Sequence, residues 1–250
     1  MSASVSHFAD DFIAGDHDFK FGIQASKGDA ATKVGVSATG AYYYHYAYDY
    51  YGTTYDYYYK VEGLPYFYGQ EQESISGFVD DSWKLSDRLT LNIGLRYDHH
   101  TGVIPSFPRL DMDGEETGES IPGIDPVLTW DHISPRLGFA YAAGAEQKTV
   151  IRGSFGIYYD GNVGGNWNYP PPDFPTQYAY LGESWEGPWD EEPAWEWSPG
   201  ELSVDPDLSA PRTLQYSVGF EHAFMENYSF GATALYKDTT DLVGWEIMDD

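Results

Sequence analysis

The chain has 250 residues with 13 basic and 40 acidic side chains, a formal net charge of −27 at pH 7. This charge excludes a nucleic-acid-binding function, because contacts to phosphate require lysine and arginine. The absence of cysteine excludes disulfide frameworks, cysteine zinc sites and thiol catalysis. An aromatic content of 18% argues against a disordered chain, and the many tyrosines and glycines favour an all-β fold.

Eight segments alternate apolar and polar residues with a period of two, which is typical of strands with one apolar and one polar face. The clearest is Leu89–Asp98, whose odd positions from Leu89 to Tyr97 are all apolar. In chain order, strands are predicted at about 3–11, 17–25, 75–85, 89–98, 133–142, 149–159, 212–224 and 228–237. The first residues have neither the basic nor the apolar region of a signal peptide, so none is expected there.

Short and long connections alternate strictly between these strands. Tight turns are predicted around 13–16, 86–88, 143–147 and 225–227, and long connections at 28–72, 99–132 and 160–210. The long connections carry five, seven and eleven acidic residues against two, one and no basic ones. All tight turns therefore lie at one edge of the sheet and all long, acidic connections at the other. Short periplasmic turns and long external loops are the asymmetry of an outer-membrane barrel.

The pattern predicts an all-β fold, an antiparallel up-and-down transmembrane β-barrel segment of about eight strands. One partial outer-membrane β-barrel domain is expected over residues 1–250, with the three long connections as external loops. Strand lengths of about 9–11 residues match a tilted crossing of the bilayer. The expected location is the cell outer membrane, with outer-membrane lipid as one partner.

Three stretches of sequence resemble the barrels of TonB-dependent receptors. Residues 76–98 (SGFVDDSWKLSDRLTLNIGLRYD) resemble a signature hairpin of that family, and 133–141 with 148–160 resemble the next one. Residues 205–221 with 234–243 resemble a third, and the Oar-like group, whose members carry a carboxypeptidase-regulatory-like domain, is the most similar. The resemblance implies energy-coupled uptake of an external ligand through a barrel of roughly 22 strands that encloses a plug.

The chain differs from that family pattern in three expected respects: a plug, a TonB-contacting box and a signal peptide are not found in the sequence. It therefore resembles an internal piece of a receptor barrel or the product of a truncated gene. The partners that the resemblance implies are the remaining barrel strands and plug, and a periplasmic TonB-type energy-coupling protein acting through that plug. No nucleic-acid partner and no cofactor are expected.

Aromatic residues are concentrated in two of the long connections. Tyrosines crowd residues 42–68, and four tryptophans lie among acidic residues between 185 and 197. The tyrosines could stack on sugar rings or other flat ligands, and the acidic tryptophan segment could bind a cationic ligand or bind calcium through its carboxylates. The alternative is that strands continue beyond the membrane with tyrosines in an interfacial girdle, and that the tryptophan segment is a solvated loop. The residues predicted to bind a ligand are Tyr55, Tyr57, Tyr59, Trp185, Trp189, Trp195 and Trp197.

Possible metal ligands flank one long connection. Imidazole and carboxylate groups bind metals, but histidines at strand ends are commonly rim residues that contact water, and no metal site is predicted. These residues are Asp98, His99, His100, Asp131 and His132. The segment 111–116 is similar to the start of a calcium loop but lacks the full ligand spacing.

Arg96, Arg136 and Arg152 fall on the polar faces of consecutive strands, where pairing with carboxylates of neighbouring strands or of the plug is expected. No Ser/His/Asp, paired-carboxylate or phosphate-binding constellation has convincing spacing, so no catalytic residue is predicted and the protein is not expected to be an enzyme. The leading functional hypothesis is a receptor/transporter component for an external nutrient such as a glycan, peptide or metal chelate. The alternatives are a non-transporting, adhesin-like surface barrel and a soluble carbohydrate-binding β-protein.

Overall fold

The computed structural model describes residues 1–35, 41–161, 173–198, 204–205 and 207–244. Within these ranges the chain forms fourteen β-strands, and every pair of neighbouring strands is antiparallel. The described ranges contain no helix that could cross a membrane. The predicted all-β, antiparallel up-and-down fold is confirmed.

The largest sheet has eight strands that follow one another along the chain as an up-and-down meander. Its strands, in spatial order, are β1 (Ser2–Ala9), β2 (Asp16–Val34), β5 (Tyr66–Ser86), β6 (Leu89–Ile104), β9 (Ile124–Ala143), β10 (Thr149–Tyr159), β13 (Arg212–Met225) and β14 (Tyr228–Thr240). The eight predicted strands correspond to these in order, and the four predicted tight turns connect β1 to β2, β5 to β6, β9 to β10 and β13 to β14.

The cross-strand register gives this sheet one apolar and one polar face. Leu91 and Ile93 of β6 lie opposite Phe139 and Leu137 of β9, and the same alternation continues across the sheet. Most of these apolar side chains are exposed, so the protein itself does not cover them. An apolar face of this extent requires an apolar surrounding, which the bilayer supplies. Other exposed members are Phe21, Ile23, Val79, Leu95, Tyr97, Ile133, Tyr216, Val218, Phe220, Phe230 and Tyr236.

The apolar band has a defined upper boundary. From Leu89 to Tyr97 the band extends about 26 Å along β6, at roughly 3.3 Å per residue, which suits the hydrocarbon layer. On β6 and β9 the next outward row holds polar groups: His99 Nδ1 lies 2.9 Å from Asp131 Oδ1. Farther along the sheet, Lys27 pairs with Glu71 at 3.1 Å and with Glu73 at 2.8 Å. The membrane-spanning segments therefore end near Tyr97 and its paired rows.

One hydrogen-bonded polar pair lies within the apolar face, near the tight-turn edge. His17 Nδ1 is 2.7 Å from Asp81 Oδ2, and both side chains are largely buried. The His17 ring is stacked between Phe19 and Trp83, with centroid distances of 5.1 and 5.0 Å. Packing against these rings leaves the imidazole and the carboxylate little exposed, which limits the contact of these polar groups with lipid.

Four strands extend beyond the membrane band, and here the predicted limits of the long connections differ from the structure. Residues 28–34 belong to β2 and 66–72 to β5, and β6 and β9 likewise enter the predicted connection 99–132. The sequence did not predict these extensions, because their residues do not alternate between apolar and polar. Cross-strand ion pairs are found there instead. These residues agree with the alternative prediction given above, in which strands continue beyond the membrane.

The remaining connections fold into two smaller sheets. A four-stranded sheet has the order β12 (Trp195–Trp197), β11 (Gln177–Gly182), β4 (Thr53–Glu62) and β3 (Ala41–Tyr50). A hairpin pairs β7 (Phe107–Leu110) with β8 (Glu116–Ile121). Parts of the predicted connections 28–72 and 160–210 lie outside the described residues.

The buried apolar residues lie in the strand extensions, the small sheets and the connections next to them rather than in the membrane band. The reason is that the large sheet directs its apolar face outward, so a water-excluding protein core forms only where strands project beyond lipid. These buried residues are Ala41, Val61, Tyr66, Ile104, Phe107, Leu110, Ile121, Leu128, Trp130, Phe174, Ala179 and Ala210.

The three arginines lie on the polar face of the large sheet, as predicted, and among the described residues Arg152 is the one that pairs with a carboxylate of a neighbouring strand. Arg152 lies 3.3 Å from Glu221 of β13. Arg96 instead pairs with Asp98 two residues farther along its own strand, at 2.8 Å. Arg136 lies over the ring of Tyr158, 5.2 Å from its centroid, so its observed partner is aromatic.

Candidate ligand-binding surface

The four-stranded sheet begins with a tyrosine-rich hairpin. Strands β3 and β4 alternate tyrosine with other residues and are joined at Tyr51 and Gly52, which have φ angles of 48° and 80°. Two consecutive positive φ angles correspond to the tight turn that suits the twist of a hairpin. Tyr51 and the residues around it are exposed at the tip.

Strand register places most of these tyrosines on one surface, here called the tyrosine face. Tyr44 lies opposite Tyr59, Tyr46 opposite Tyr57, and Tyr48 opposite Tyr55. Side chains two residues apart point to the same side of a strand, so the pairing fixes the whole surface. The tyrosine face comprises Tyr42, Tyr44, Tyr46, Tyr48, Tyr50, Thr53, Tyr55, Tyr57, Tyr59, Val61, Gln177, Ala179, Leu181, Trp195 and Trp197.

The opposite side of the sheet, here called the charged face, carries every Asp, Glu and Lys of these four strands. His45 Nε2 lies 2.7 Å from Asp56 Oδ1, and Lys60 Nζ lies 2.8 Å from Glu62 Oε1. Lys60 also lies over the ring of Tyr180, 4.8 Å from its centroid. The sheet therefore separates an uncharged aromatic surface from a charged one.

The structure divides the seven predicted ligand-binding residues between these two surfaces. Tyr55, Tyr57, Tyr59, Trp195 and Trp197 lie on the tyrosine face. Trp185 and Trp189 instead lie against the charged face, so the seven residues do not form one surface.

Contacts on the charged face position these two tryptophans. Trp185 meets the edge of Tyr58 at a centroid distance of 5.3 Å. Trp189 lies against Tyr43 at 5.6 Å, with its ring directly over Gly182. A side chain at position 182 would overlap that ring, so the close approach requires glycine.

The tyrosine face has a packed base and an exposed tip. Val61 and Ala179 are completely buried at the base, where Trp197 packs against Phe174 at 4.9 Å and against Tyr66 at 6.3 Å. Toward the tip the rings become accessible. The exposed members there are Tyr46, Tyr48, Tyr50, Tyr55 and Tyr57.

Ionisation is suppressed at the base of this surface. Burial, with contributions from Tyr42 and Tyr68, raises the pKa of Tyr66 to about 12. Burial also raises the pKa of Tyr44, reinforced by Tyr59 and Tyr42, whereas a hydrogen bond with Trp195 opposes the shift. These phenols are therefore neutral hydrogen-bonding groups at physiological pH.

Several members of the surface were not among the predicted ligand-binding residues. Tyr46, Tyr48 and Tyr50 share the exposed tip with Tyr55 and Tyr57. The period-two recurrence of tyrosine over 42–50 is visible in the sequence and could have identified them. Phe174 and Tyr66 could not be found in this way, because they meet only through long-range packing.

Strand alternation also separates the possible metal ligands flanking the 99–132 connection. His99 and Asp131 face outward together with Tyr97, whereas Asp98, His100 and His132 face the other side of the sheet. Among the residues that the structure describes, no group of three or more His, Asp or Glu side chains could hold a metal ion.

The inner histidines lie just above the membrane band. His132 stacks on Tyr159 at 4.2 Å, and its centroid lies 6.5 Å from that of His100. Burial lowers the pKa of both imidazoles, and their mutual proximity lowers that of His132 further. At Asp98 burial opposes ionisation, but hydrogen bonds from Arg96 and Ser76 outweigh it and lower the pKa.

The segment similar to a calcium loop forms a turn between β7 and β8. One carboxylate oxygen of Asp111 accepts hydrogen bonds from the backbone N–H groups of Asp113 at 3.0 Å and Glu115 at 2.9 Å. The carbonyl of Gly114 accepts a hydrogen bond from Lys33 at 2.7 Å. These oxygens therefore stabilise the turn itself.

Comparison with known proteins gives one match. The family model described as outer membrane beta barrel domain matches residues 7–233. No curated protein and no solved structure matches the chain. The matched range extends from β1 into β14 and so includes the eight-stranded sheet together with both smaller sheets.

Proposed function

We propose that this chain, which belongs to the outer membrane beta barrel domain family and is located in the outer membrane, forms part of a TonB-dependent receptor that takes up an external ligand. The large sheet would supply part of the barrel wall, and the tyrosine face would supply part of the receptor surface. A periplasmic TonB-type protein would provide energy through a plug.

The observation that carries this proposal is the direct connection between barrel wall and aromatic sheet. Strand β2 leads into the segment preceding β3, and β4 leads through 63–65 into β5, so the aromatic hairpin is an insertion between two paired barrel strands. Three stretches with resemblance to TonB-dependent receptor hairpins give independent support.

The sheet edges support further barrel strands as partners. In the described residues β1 and β14 each pair on one side only, and both are almost entirely exposed. Unpaired backbone N–H and C=O groups are not tolerated in lipid, so the wall requires additional strands at both edges. We therefore propose the remaining barrel strands of a complete receptor as the neighbours of β1 and β14.

A second candidate is a non-transporting surface barrel that uses the tyrosine face to hold a partner, and the exposed aromatic tip favours it equally. Membership of an outer-membrane family argues against the soluble carbohydrate-binding alternative. The family is generally non-enzymatic. Energy dependence separates the two surface functions.

Growth experiments test the transport function. Cells lacking this gene, cells lacking the TonB-type coupling gene and wild-type cells would be grown on a neutral polysaccharide, a peptide digest or ferric citrate as the limiting nutrient. Energy-coupled uptake predicts that both deletions impair growth on the same nutrient. A defect confined to the coupling mutant, or growth of the gene deletion equal to wild type on all three, would overturn the proposal.

The orientation of the sheet in the membrane gives a separate prediction. Because the sequence contains no cysteine, a maleimide would react with an introduced cysteine without background labelling of this chain. Tyr51 is 92% exposed at the β3–β4 turn, and Glu226 is exposed in the β13–β14 turn at the opposite edge. A membrane-impermeant maleimide should label Tyr51→Cys on intact cells, but Glu226→Cys only after the outer membrane is opened. The reverse labelling pattern would place the aromatic sheet in the periplasm.

A further inference from the structure

The exposed end of the tyrosine face has the geometry of a stacking platform. Tyr48 and Tyr50 are nearly parallel, with centroids 6.2 Å apart and planes inclined by 20°. Nearer the base, Tyr44 stacks on Tyr59 across the strands at 4.7 Å. The rings thus form two adjacent rows along β3 and β4, each presenting an apolar surface with a hydroxyl at its edge.

The base of the sheet holds this platform in place. Val61 and Ala179 are completely buried beneath the aromatic packing of Trp197, Phe174 and Tyr66. At the base β4 is paired by both β3 and β11, over 58–62, and toward the tip its pairing with β3 holds Tyr55 and Tyr57 in register before any ligand arrives. Such preorganisation reduces the conformational entropy lost on binding.

Charge indicates which ligand the platform accepts. The chain carries a net charge of −27, yet none of the fifteen members of the tyrosine face is charged. An anionic polymer would find no cation here and would be repelled by the rest of the molecule. A cationic ligand would find its carboxylates on the charged face, at Asp49, Asp56 and Glu62. A neutral ligand is the class that matches.

We propose that the exposed end of the tyrosine face binds a neutral polysaccharide chain laid along β3 and β4. Sugar rings have flat C–H faces that stack on aromatic rings, and their hydroxyl groups can exchange hydrogen bonds with the phenols. The inference rests on the proposed receptor function, for which it names the class of ligand. The rings that would carry the stacking are Tyr46, Tyr48, Tyr50, Tyr55 and Tyr57.

Binding to the purified full chain in detergent tests this inference. The probes would be soluble β-glucan, galactomannan and dextran as neutral polymers, with polygalacturonate, chitosan and a proline-rich peptide for comparison. The double variant Tyr48→Ala/Tyr55→Ala removes two rings that lie opposite each other on the platform. We expect wild type to bind at least one neutral polymer, and the double variant to bind it about tenfold more weakly.

Two variants control for loss of structure and for loss of tyrosine in general. Tyr43 and Tyr48 lie on the same strand and are both 46% exposed, but Tyr43 lies on the charged face. Tyr43→Ala should therefore leave polysaccharide binding unchanged, and Tyr48→Phe/Tyr55→Phe should retain most of it because the rings remain. Circular dichroism would verify that each variant keeps its strand content.

The outcomes separate this inference from the proposed function. Failure of wild type to bind any neutral polymer, preference for the peptide or a charged polymer, or equal weakening by Tyr43→Ala would overturn the platform as a polysaccharide site. Growth defects only on peptide or on iron would support the transport function but contradict polysaccharide as its ligand. Polysaccharide binding with unaffected growth would support the inference and contradict uptake.

Discussion

Replacing Gly69 by alanine is expected to lower the thermal stability of the barrel extension markedly. Gly69 is buried on β5 opposite Ala31 of β2. A Cβ at this position would overlap the backbone carbonyl oxygen of Ala30 and would lie 2.9 Å from the Cα of Ala31. Since these are backbone atoms of the paired strand, the two strands must move apart. The expected loss is about 1–3 kcal/mol, the usual cost of overpacking.

Gly28 supplies the matched control. It lies on the same pair of strands, three rows away and opposite Gln72, and a Cβ there would meet no atom within 4 Å. Gly28→Ala should change the free energy of unfolding by no more than about 0.5 kcal/mol. Thermal unfolding in detergent, followed by circular dichroism, measures both variants. Equal midpoints for the two variants would show that β2 and β5 are not paired in this register.

Replacing Trp130 by alanine is expected to lower the stability more, because Trp130 packs the segment before β13 against the large sheet. Its buried ring packs with Leu128 and Ala210, and its Nε1–H donates a hydrogen bond to the carbonyl of Leu208 at 2.7 Å. Truncating a buried tryptophan typically costs 3–5 kcal/mol. We expect a lower unfolding midpoint and release of the segment around Leu208 and Ala210.

Proteolysis reports this release directly. An endopeptidase specific for Asp and Glu should cleave after Asp207 much faster in Trp130→Ala than in wild type. Trp130→Phe retains an aromatic ring and loses the indole hydrogen bond, so a loss of about 1 kcal/mol and little extra cleavage are expected. If Trp130→Ala were as resistant to cleavage as wild type, contacts other than those of Trp130 would hold the segment.

The sequence predicted the membrane part of the large sheet better than it predicted the full lengths of the strands or the packing around Trp130. Apolar alternation predicts only the part of each strand that faces lipid, because only there must one face be apolar. Beyond that level, Lys27, Glu71 and Glu73 have the composition of a loop, although they are paired across β2 and β5. Trp130 likewise lies within a stretch predicted to be a connection, and its partners Leu208 and Ala210 are distant along the chain.

The eight strands of the large sheet, their apolar and polar faces, and the alternation of tight and long connections could all be predicted from the amino-acid sequence. The lipid environment imposes this pattern locally, so it can be recognised without knowledge of partners. The sequence does not reveal that Tyr55, Tyr57 and Tyr59 share a surface with Trp195 and Trp197, or that Trp185 and Trp189 lie on the opposite side of the sheet. That arrangement depends on β11 pairing with β4 across more than a hundred residues of chain. Backbone hydrogen bonds form this pairing, and they leave no mark in the order of the side chains.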